Sequence, residues 1–225
     1  MGERGALAVG RSCLSWGARY LAGRATPSRR APSFHFDGER IACFHHPYHY
    51  TWMNERAVEI ALALRLLDRT PRGRVLEVGN VLGHYRNVAH PVVDKYERAP
   101  GVLNVDVVDV PPDGLYDLIL SVSTLEHVGF DEEPRDPAKV GRAIEVLREL
   151  LAPGGLLWAT LPAGYNPELD RQVHAGELGF TKVRALRRER AANRWREVAL
   201  ADARELPYDR LLFTAHGLLV CELRG

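Results

Sequence analysis

The chain is poor in cysteine. Of its 225 residues only Cys13, Cys43 and Cys221 carry thiols, far apart and with no CxxC pair. That spacing excludes a zinc knuckle and a disulfide framework, and leaves three reduced thiols in a reducing compartment as the expectation. Long apolar runs are also missing: none approaches the ~20 residues that a membrane span requires. The N-terminus has scattered arginines and no continuous apolar h-region, which makes a poor secretory signal. These points favour the cytoplasm. Charge of one sign is missing too. Lys and Arg number 30 against 29 Asp and Glu, a formal net charge of +1, so the balance argues against a polyanion such as nucleic acid as the main partner. No internal repeat is visible. The length suits one α/β domain with a modest extension and can bury a large core. Frequent Ala, Arg and Gly fit a GC-rich, bacterial-type coding sequence.

Residues 1–32 are rich in Arg, Gly, Ala and Ser and end in TPSRRAPS, the composition of a mobile N-terminal arm. Within it Leu14, Trp16, Tyr20 and Leu21 can share a helical face. Residues 33–53 form a lead-in or lid: Phe34 and Phe36, a turn at Asp37-Gly38, then Ile41 and Phe44 alternate as a hairpin does, and a stretch dense in His and Tyr follows. The main domain spans 54–225. NERAVEIALALRLLDR is a helix capped by Asn54, with Ala57, Ile60, Ala61, Leu64 and Leu67 as its apolar stripe. Strands and helices then alternate: RVLEVG, PVVD, VLNVDVVD and YDLILSVS are strands. PAKVGRAIEVLRELL is a helix ended by Ala152-Pro153-Gly154-Gly155, LLWATLP is a fifth strand, and KVRALRRE and GLLVCELR are two more. This βαβ rhythm predicts a parallel sheet with helices on both faces.

Chemistry concentrates at predicted strand ends. In VLEVGNVLGHY a strand ends at Glu77, and Gly79 and Gly83 flank a tight turn. Open α/β sheets bind ligands beyond the carboxyl ends of their strands, and Gly79 permits a close approach that a Cβ hinders. Asp94 ends the second strand, seventeen residues after Glu77; a carboxylate at about that distance takes ribose hydroxyls in nucleoside-binding folds. Asp106 is placed in the third strand, where acids are depleted, and binding an adenine amino group supplies a reason for it.

Glu77-Val78-Gly79, Asp94, Asp106, YDLILSVSTLEHVG and LLAPGGLLWATLP resemble, in order and spacing, class I S-adenosylmethionine-dependent methyltransferases. LEHV after the fourth strand and L-x-PGG before the fifth are the most telling pieces, and the likeness covers residues 72–162 well. FHHPYHYTWMNERAVEI and the turn EVGNVLG resemble a small bacterial subgroup of that family. The resemblance implies a Rossmann-like α/β fold, with a seven-stranded, mostly parallel sheet whose last strand is antiparallel, and S-adenosylmethionine as cofactor. Carried over by position, Glu77 and the turn at Gly79, Asn80 and Gly83 support the methionine part of the cofactor. Asp94 holds the ribose, Asp106 faces the adenine with Val107 on its ring, and Ser121 and Ser123 line the floor. Glu126 and His127 stand where substrate enters. One position departs: the middle glycine of E-x-G-x-G-x-G is Val81, and a β-branched residue resists φ > 0.

The expected reaction is methyl transfer to a small-molecule hydroxyl, on a sugar or another metabolite of specialised biosynthesis. His127 is the candidate base, since imidazole titrates near neutrality; packing or a backbone hydrogen bond is its alternative role. His45, His46, His49, Tyr48, Tyr50 and Trp52 form a second cluster. Pro47 and the lack of a nearby acid argue against a metal there. His49 and Tyr50 then read as an aromatic and imidazole wall over substrate, or as plain packing. Tyr165 and Asn166 follow the fifth strand in a region the family uses for substrate, though a turn at Asn166-Pro167 explains them as well. Arginines 184, 187, 188, 190, 194 and 196 read as a solvated strand and loop. Small-molecule substrate, with a protein partner or homodimer possible, is the expected partner set; no membrane is implied. Two other classes stay open: a nucleic-acid methyltransferase, whose affinity would fall steeply with salt, and a protein of this fold that binds a nucleoside or a partner without methylating. A nicotinamide oxidoreductase is disfavoured by the lack of G-x-G-x-x-G.

Overall fold

Apolar residues alternate between two faces in the central strands, and that alternation decides the architecture. The structure, a computed structural model, describes residues 6–25, 32–189 and 193–225. Helix α1 (Ala6–Ala25) is followed by the hairpin β1 (Ser33–Phe36) and β2 (Glu39–Ala42), then helix α2 (Arg56–Asp68). Strands β3 (Val75–Val78), β4 (Val92–Val93), β5 (Val102–Leu103) and β6 (Tyr116–Val122) come next, then α3 (Lys139–Glu149), β7 (Leu151–Pro162) and α4 (Pro167–Ala175). The chain ends with β8 (Lys182–Glu189), β9 (Arg194–Val198), a small hairpin of β10 (Tyr208–Asp209) and β11 (Thr214–Ala215), and β12 (Gly217–Arg224).

In β6, Leu118, Leu120 and Val122 join the core under α2 and the hairpin, while Ile119 joins the core under α3 and α4. β7 and β12 alternate likewise, with Leu156, Trp158, Leu218 and Val220 on the first face and Leu157, Ala159, Leu219 and Cys221 on the second. Burial on both faces explains why these strands read as continuous apolar runs. The main sheet runs β5-β4-β3-β6-β7-β12-β8-β9. Its first five strands are parallel, and β12 inserts antiparallel to both β7 and β8. This is a Rossmann-like α/β fold, with eight strands in the sheet where seven are predicted. The extra one is β9, antiparallel to β8. It hides in the sequence because Arg194 and Arg196 are exposed, yet Trp195 between them is buried and anchors the strand in the core.

Three further expectations need correction. The βαβ rhythm holds for β6–α3–β7, but among the described residues no α-helix joins β3 to β4, β4 to β5 or β5 to β6. Those connections, residues 79–91, 94–101 and 104–115, are broken by Pro91, Pro100, Pro111 and Pro112, and contain only 3-10 turns at Leu82–His84 and Val107–Asp109. The strand at VLNVDVVD shrinks to Val102–Leu103, because the Asn104 side chain turns back to donate to the carbonyls of Asp94 (2.9 Å) and Glu97 (2.7 Å). Asp106 therefore lies beyond the strand and caps the next turn, accepting from Val108 N at 3.4 Å. Helix α3 is shorter than predicted, since β7 starts at Leu151 and runs through Pro153-Gly154-Gly155.

The hairpin forms as predicted, with Phe34, Phe36 and Ile41 buried. Asn54 Oδ1 accepts from Arg56 N (3.1 Å) at the start of α2. Residues 6–25 of the predicted arm form α1, whose Trp16 and Tyr20 stack on each other at 5.5 Å and meet the Tyr50 ring edge-on at 6.1 and 5.0 Å. Residues 1–5 and 26–31, the Leu14 and Cys13 side chains and Arg190 lie outside the described residues. Cys43 and Cys221 are buried free thiols, and desolvation pushes the Cys43 thiol up to about 12. No described helix is long and apolar enough to cross a membrane.

Helix α4 carries a part-buried acid that costs stability. Burial raises the Asp170 carboxyl to about 6, only partly offset by the hydrogen bond from Gly164 N at 2.6 Å. A carboxyl whose folded value lies above its unfolded one favours folding below the unfolded value and opposes it as pH rises through the folded one. Asp170→Asn keeps an acceptor for Gly164 N and is expected to raise stability at pH 7 by about 1–3 kcal/mol. The gain should vanish below about pH 4, as urea unfolding at both pH values will show.

Candidate active site

The carboxyl ends of β3, β4 and β6 open onto a cleft of about 470 Å³, a size common for small-molecule sites. The floor is the turn after β3. Gly79 has φ +87, and a Cβ there would lie 2.0 Å from Thr124 Oγ1, so only glycine fits. Val81, the departure from the glycine pattern, sits at φ −105 in the ordinary right-handed region. The left-handed step is taken at Gly79, which is why valine is tolerated. Gly83 has no positive φ; a side chain there would meet Asn80 Oδ1 at 2.7 Å.

Glu77 shapes this turn from behind. It is fully buried, its Oε1 accepts from Val81 N (3.0 Å) and Leu82 N (2.7 Å), and its Oε2 lies 2.9 Å from His90 Nε2. It does not face the cleft. Asp94 does: Oδ2 accepts from Asn80 N (2.9 Å), and Oδ1 from Tyr96 N (2.9 Å) and Glu97 N (2.7 Å). A carboxylate has about four acceptor positions, so one remains. Glu97 stands beside it on the cleft wall, bound by Asn80 Nδ2 (2.6 Å) and paired with His84 Nε2 (3.0 Å).

At the far end lie Val105, Asp106 and Val107. Asp106 Oδ2 takes both Lys139 Nζ (2.5 Å) and Lys95 Nζ (2.8 Å), and Glu132 completes the cluster at 2.6 Å from Lys139 Nζ. Desolvation works to raise the Asp106 carboxyl, but the two lysines outweigh it and hold it below its ordinary value. Only Oδ1, with its single long bond to Val108 N, has room for another donor.

At the near end Arg56 of α2 lines the cleft, held loosely by Glu59 Oε2 and Val122 O, each at 3.4 Å. Behind it Glu59, fully buried, accepts from Thr160 Oγ1 (2.8 Å) and from Ser123 Oγ, whose backbone has φ +43. Glu55 and Glu126 are also buried, and desolvation, reinforced by nearby carboxylates, raises both carboxyls above their ordinary values. Glu126 and Ser121 do not line the cleft, and each leaves a buried oxygen without a protein partner.

Of the residues singled out in the sequence, Tyr48, His49, Gly79, Asn80, Val81, Asp94, Asp106, Val107, Ser123 and His127 share this cleft. Glu77, Gly83, Ser121, Tyr50, Glu126, Tyr165 and Asn166 stand outside its wall. Tyr50 turns to α1, and Asn166 caps α4 by accepting from Leu169 N at 3.2 Å while donating to Glu126 O at 3.1 Å. Tyr165 nevertheless reaches the mouth, where its ring meets His127 edge-on at 4.7 Å. His49 (φ 52) and Tyr50 (φ 46) are both left-handed, and the Tyr48 ring stacks between His49 (4.3 Å) and His84 (4.6 Å) as one wall. His45 packs on Trp52 at 4.6 Å instead. In the arginine run, Arg184 pairs with Asp37 (2.6 Å) and Glu222 (2.8 Å), Arg188 is buried, and 187, 194 and 196 are exposed. Sequence reasoning missed Arg56, Glu97, Lys95, Lys139 and Asp131. Only Glu97, three residues after Asp94, carried a local signal.

Fold and site together define a Rossmann-like α/β protein with a nucleoside-sized cleft at the ends of its parallel strands. No protein-family model and no curated protein matches the chain. Among solved structures it is similar to a SAM-dependent methyltransferase, possible histamine N-methyltransferase, from Thermotoga maritima (15% identity, 78% of this chain and 93% of that one, TM-score 0.46). It is similar to the N-methyltransferase NodS from Bradyrhizobium japonicum in complex with S-adenosylhomocysteine (16% identity, 76% and 88%, TM-score 0.43). A third is the sugar N-methyltransferase KedS8 from a Streptoalloteichus species (14% identity, 79% and 92%, TM-score 0.39).

Proposed function

We propose that the chain is an S-adenosylmethionine-dependent methyltransferase acting on a hydroxyl of a small molecule. The observation that carries this reading is a single cleft that brings together the Gly79 turn, the Asp94 and Glu97 carboxylates, the apolar Val105 and Val107, and the cation of Arg56. The donor set fits the cofactor. Asp94, with Glu97 beside it, would hold the ribose hydroxyls, Val105 and Val107 would face the adenine, and Asp106 Oδ1 would accept from its amino group. Arg56, weakly paired and at the opposite end, suits the amino-acid carboxylate. Bound there, the sulfonium supplies an intrinsically activated methyl group.

The chain's own residues then have to align and deprotonate an acceptor. Alignment alone can be worth about 7–11 kcal/mol. His127 stands at the cleft mouth, where its imidazole would take the proton of an acceptor hydroxyl. Thr124 and Ser123 close the floor, and the Tyr48 stack shields one side from water. Calorimetry and thermal shift with S-adenosylmethionine and S-adenosylhomocysteine test the reading. Saturable binding and a raised melting temperature are expected, followed by a one-CH₂ mass gain in a metabolite extract. No binding at millimolar ligand would sink it. Binding without any mass gain would favour a nucleoside-binding protein that does not methylate, and a steep loss of RNA or DNA affinity with salt would favour a nucleic-acid substrate.

A further inference from the structure

His127 is not alone at the mouth of the cleft. The amides of Phe130 and Asp131 donate to His127 O at 3.1 and 3.0 Å, and this turn carries Asp131 back over the imidazole. Asp131 Oδ2 lies 2.5 Å from His127 Nδ1. The Tyr165 hydroxyl donates to the same oxygen at 2.6 Å. Arg210 closes the outer side, its Nη2 donating to Tyr165 O at 2.9 Å and its guanidinium 5.4 Å over the Tyr165 ring. On the inner side Glu126 Oε1 lies 3.6 Å from His127 Nε2, beyond hydrogen-bond reach. Partial burial works to raise the Asp131 carboxyl, but the hydrogen bonds from His127 and Tyr165, with Arg210 nearby, hold it below its ordinary value. It is therefore an ionised acceptor wherever imidazole is neutral.

An isolated pair with both side chains nearly half exposed contributes little to stability, so this geometry asks for another purpose. A neutral imidazole has one N–H and one bare nitrogen, and the partner of one nitrogen fixes the role of the other. We infer that Asp131 is the positioning residue of this site. Its carboxylate takes the Nδ1–H of His127 and leaves Nε2 as the proton-accepting nitrogen, while the Tyr165 hydroxyl holds the carboxylate in register. Use of Nε2 on an acceptor hydroxyl rests on the methyltransferase reading; the tautomer itself does not.

Nitrogen-15 NMR of the full chain labelled in histidine reads the tautomer directly, with the His127 signals identified by their loss in His127→Gln. In the neutral wild-type imidazole Nδ1 is expected to carry the proton, by roughly tenfold or more over Nε2 for a charge-assisted bond. Asp131→Ala should erase that preference, and Tyr165→Phe should reduce it. Asp131→Asn, which keeps an acceptor oxygen without the charge and is nearly isosteric, should give an intermediate ratio if the alanine variant folds poorly. A proton on Nε2 in the wild type, or an unchanged ratio in Asp131→Ala and Asp131→Asn, overturns the inference. S-adenosylhomocysteine calorimetry on the same wild-type sample separates the two claims. A fixed tautomer without binding keeps the positioning role and removes the methyltransferase reading. Binding with an unfixed tautomer does the reverse.

Discussion

Glu77→Ala is expected to lower the unfolding free energy by about 3–5 kcal/mol, because it removes a buried acceptor and strands the groups bonded to it. The carboxylate is fully buried and serves three donors: the amides of Val81 and Leu82 on Oε1 and the His90 ring on Oε2. Alanine leaves all three without a partner in the interior, where each unmade bond costs about 1–3 kcal/mol. It also leaves a cavity under the turn. Glu77→Gln keeps an acceptor oxygen for both amides but turns its NH2 toward His90, and should cost about 1–3 kcal/mol, the lost charge assistance and that one bond. Urea unfolding reads both: the midpoint should fall at unchanged slope, more for alanine than for glutamine. The turn also forms the cleft floor, so affinity for S-adenosylhomocysteine should fall with it. A variant with wild-type stability but no ligand affinity would show that Glu77 acts as a ligand group, and the loop-supporting role would be wrong.

How much of this was legible beforehand depended on whether the signal was local. β6, β7 and β12 could be read because burial on both faces produces continuous apolar runs, and the hairpin because Asp37-Gly38 sits between two short alternating apolar stretches. β9 could not, since a half-exposed edge strand with two outward arginines looks like a solvated stretch until Trp195 is placed. The third strand was overdrawn for the opposite reason: VLNVDVVD has strand-like residues, but the Asn104 side chain competes for the backbone and ends the ladder early. Gly79 and Asp94 could be placed beside the cleft because a strand-end position is a sequence property, whereas Asp106, expected inside a strand, lines the cleft from the turn beyond it. Arg56 was not, because a charged residue on a helix normally faces solvent, and only the packing of α2 against the strand ends points it inward. Asp131 was missed since its meaning depends on the turn that folds it over His127. Glu77 was carried over as supporting the methionine part of the cofactor; strand alternation turns its carboxylate away from the cleft, toward the core beneath the Val81–Leu82 backbone.

Asp94→Ala is expected to weaken S-adenosylhomocysteine binding roughly 10–150-fold, since one hydrogen bond from a ribose hydroxyl to the acceptor position still open on a charged carboxylate is worth about 1.5–3 kcal/mol. Three of the acceptor positions of Asp94 already serve Asn80, Tyr96 and Glu97 amides, so the substitution also loosens the chain between the turn and Glu97. Calorimetry should therefore be paired with urea unfolding. An affinity loss much larger than the stability loss assigns the carboxylate to the ligand, while equal losses would make it a brace like Glu77. Glu97→Gln is the informative neighbour. Its carboxylate is held by Asn80 Nδ2 and His84, contacts that glutamine keeps in part, and it faces the same cleft. If Asp94 is the principal ribose ligand, Glu97→Gln should cost less than about tenfold, one hydrogen bond's charge assistance. Should Glu97→Gln abolish binding while Asp94→Ala leaves it intact, the ribose assignment moves three residues along the chain, from the strand end to the turn that Asp94 organises.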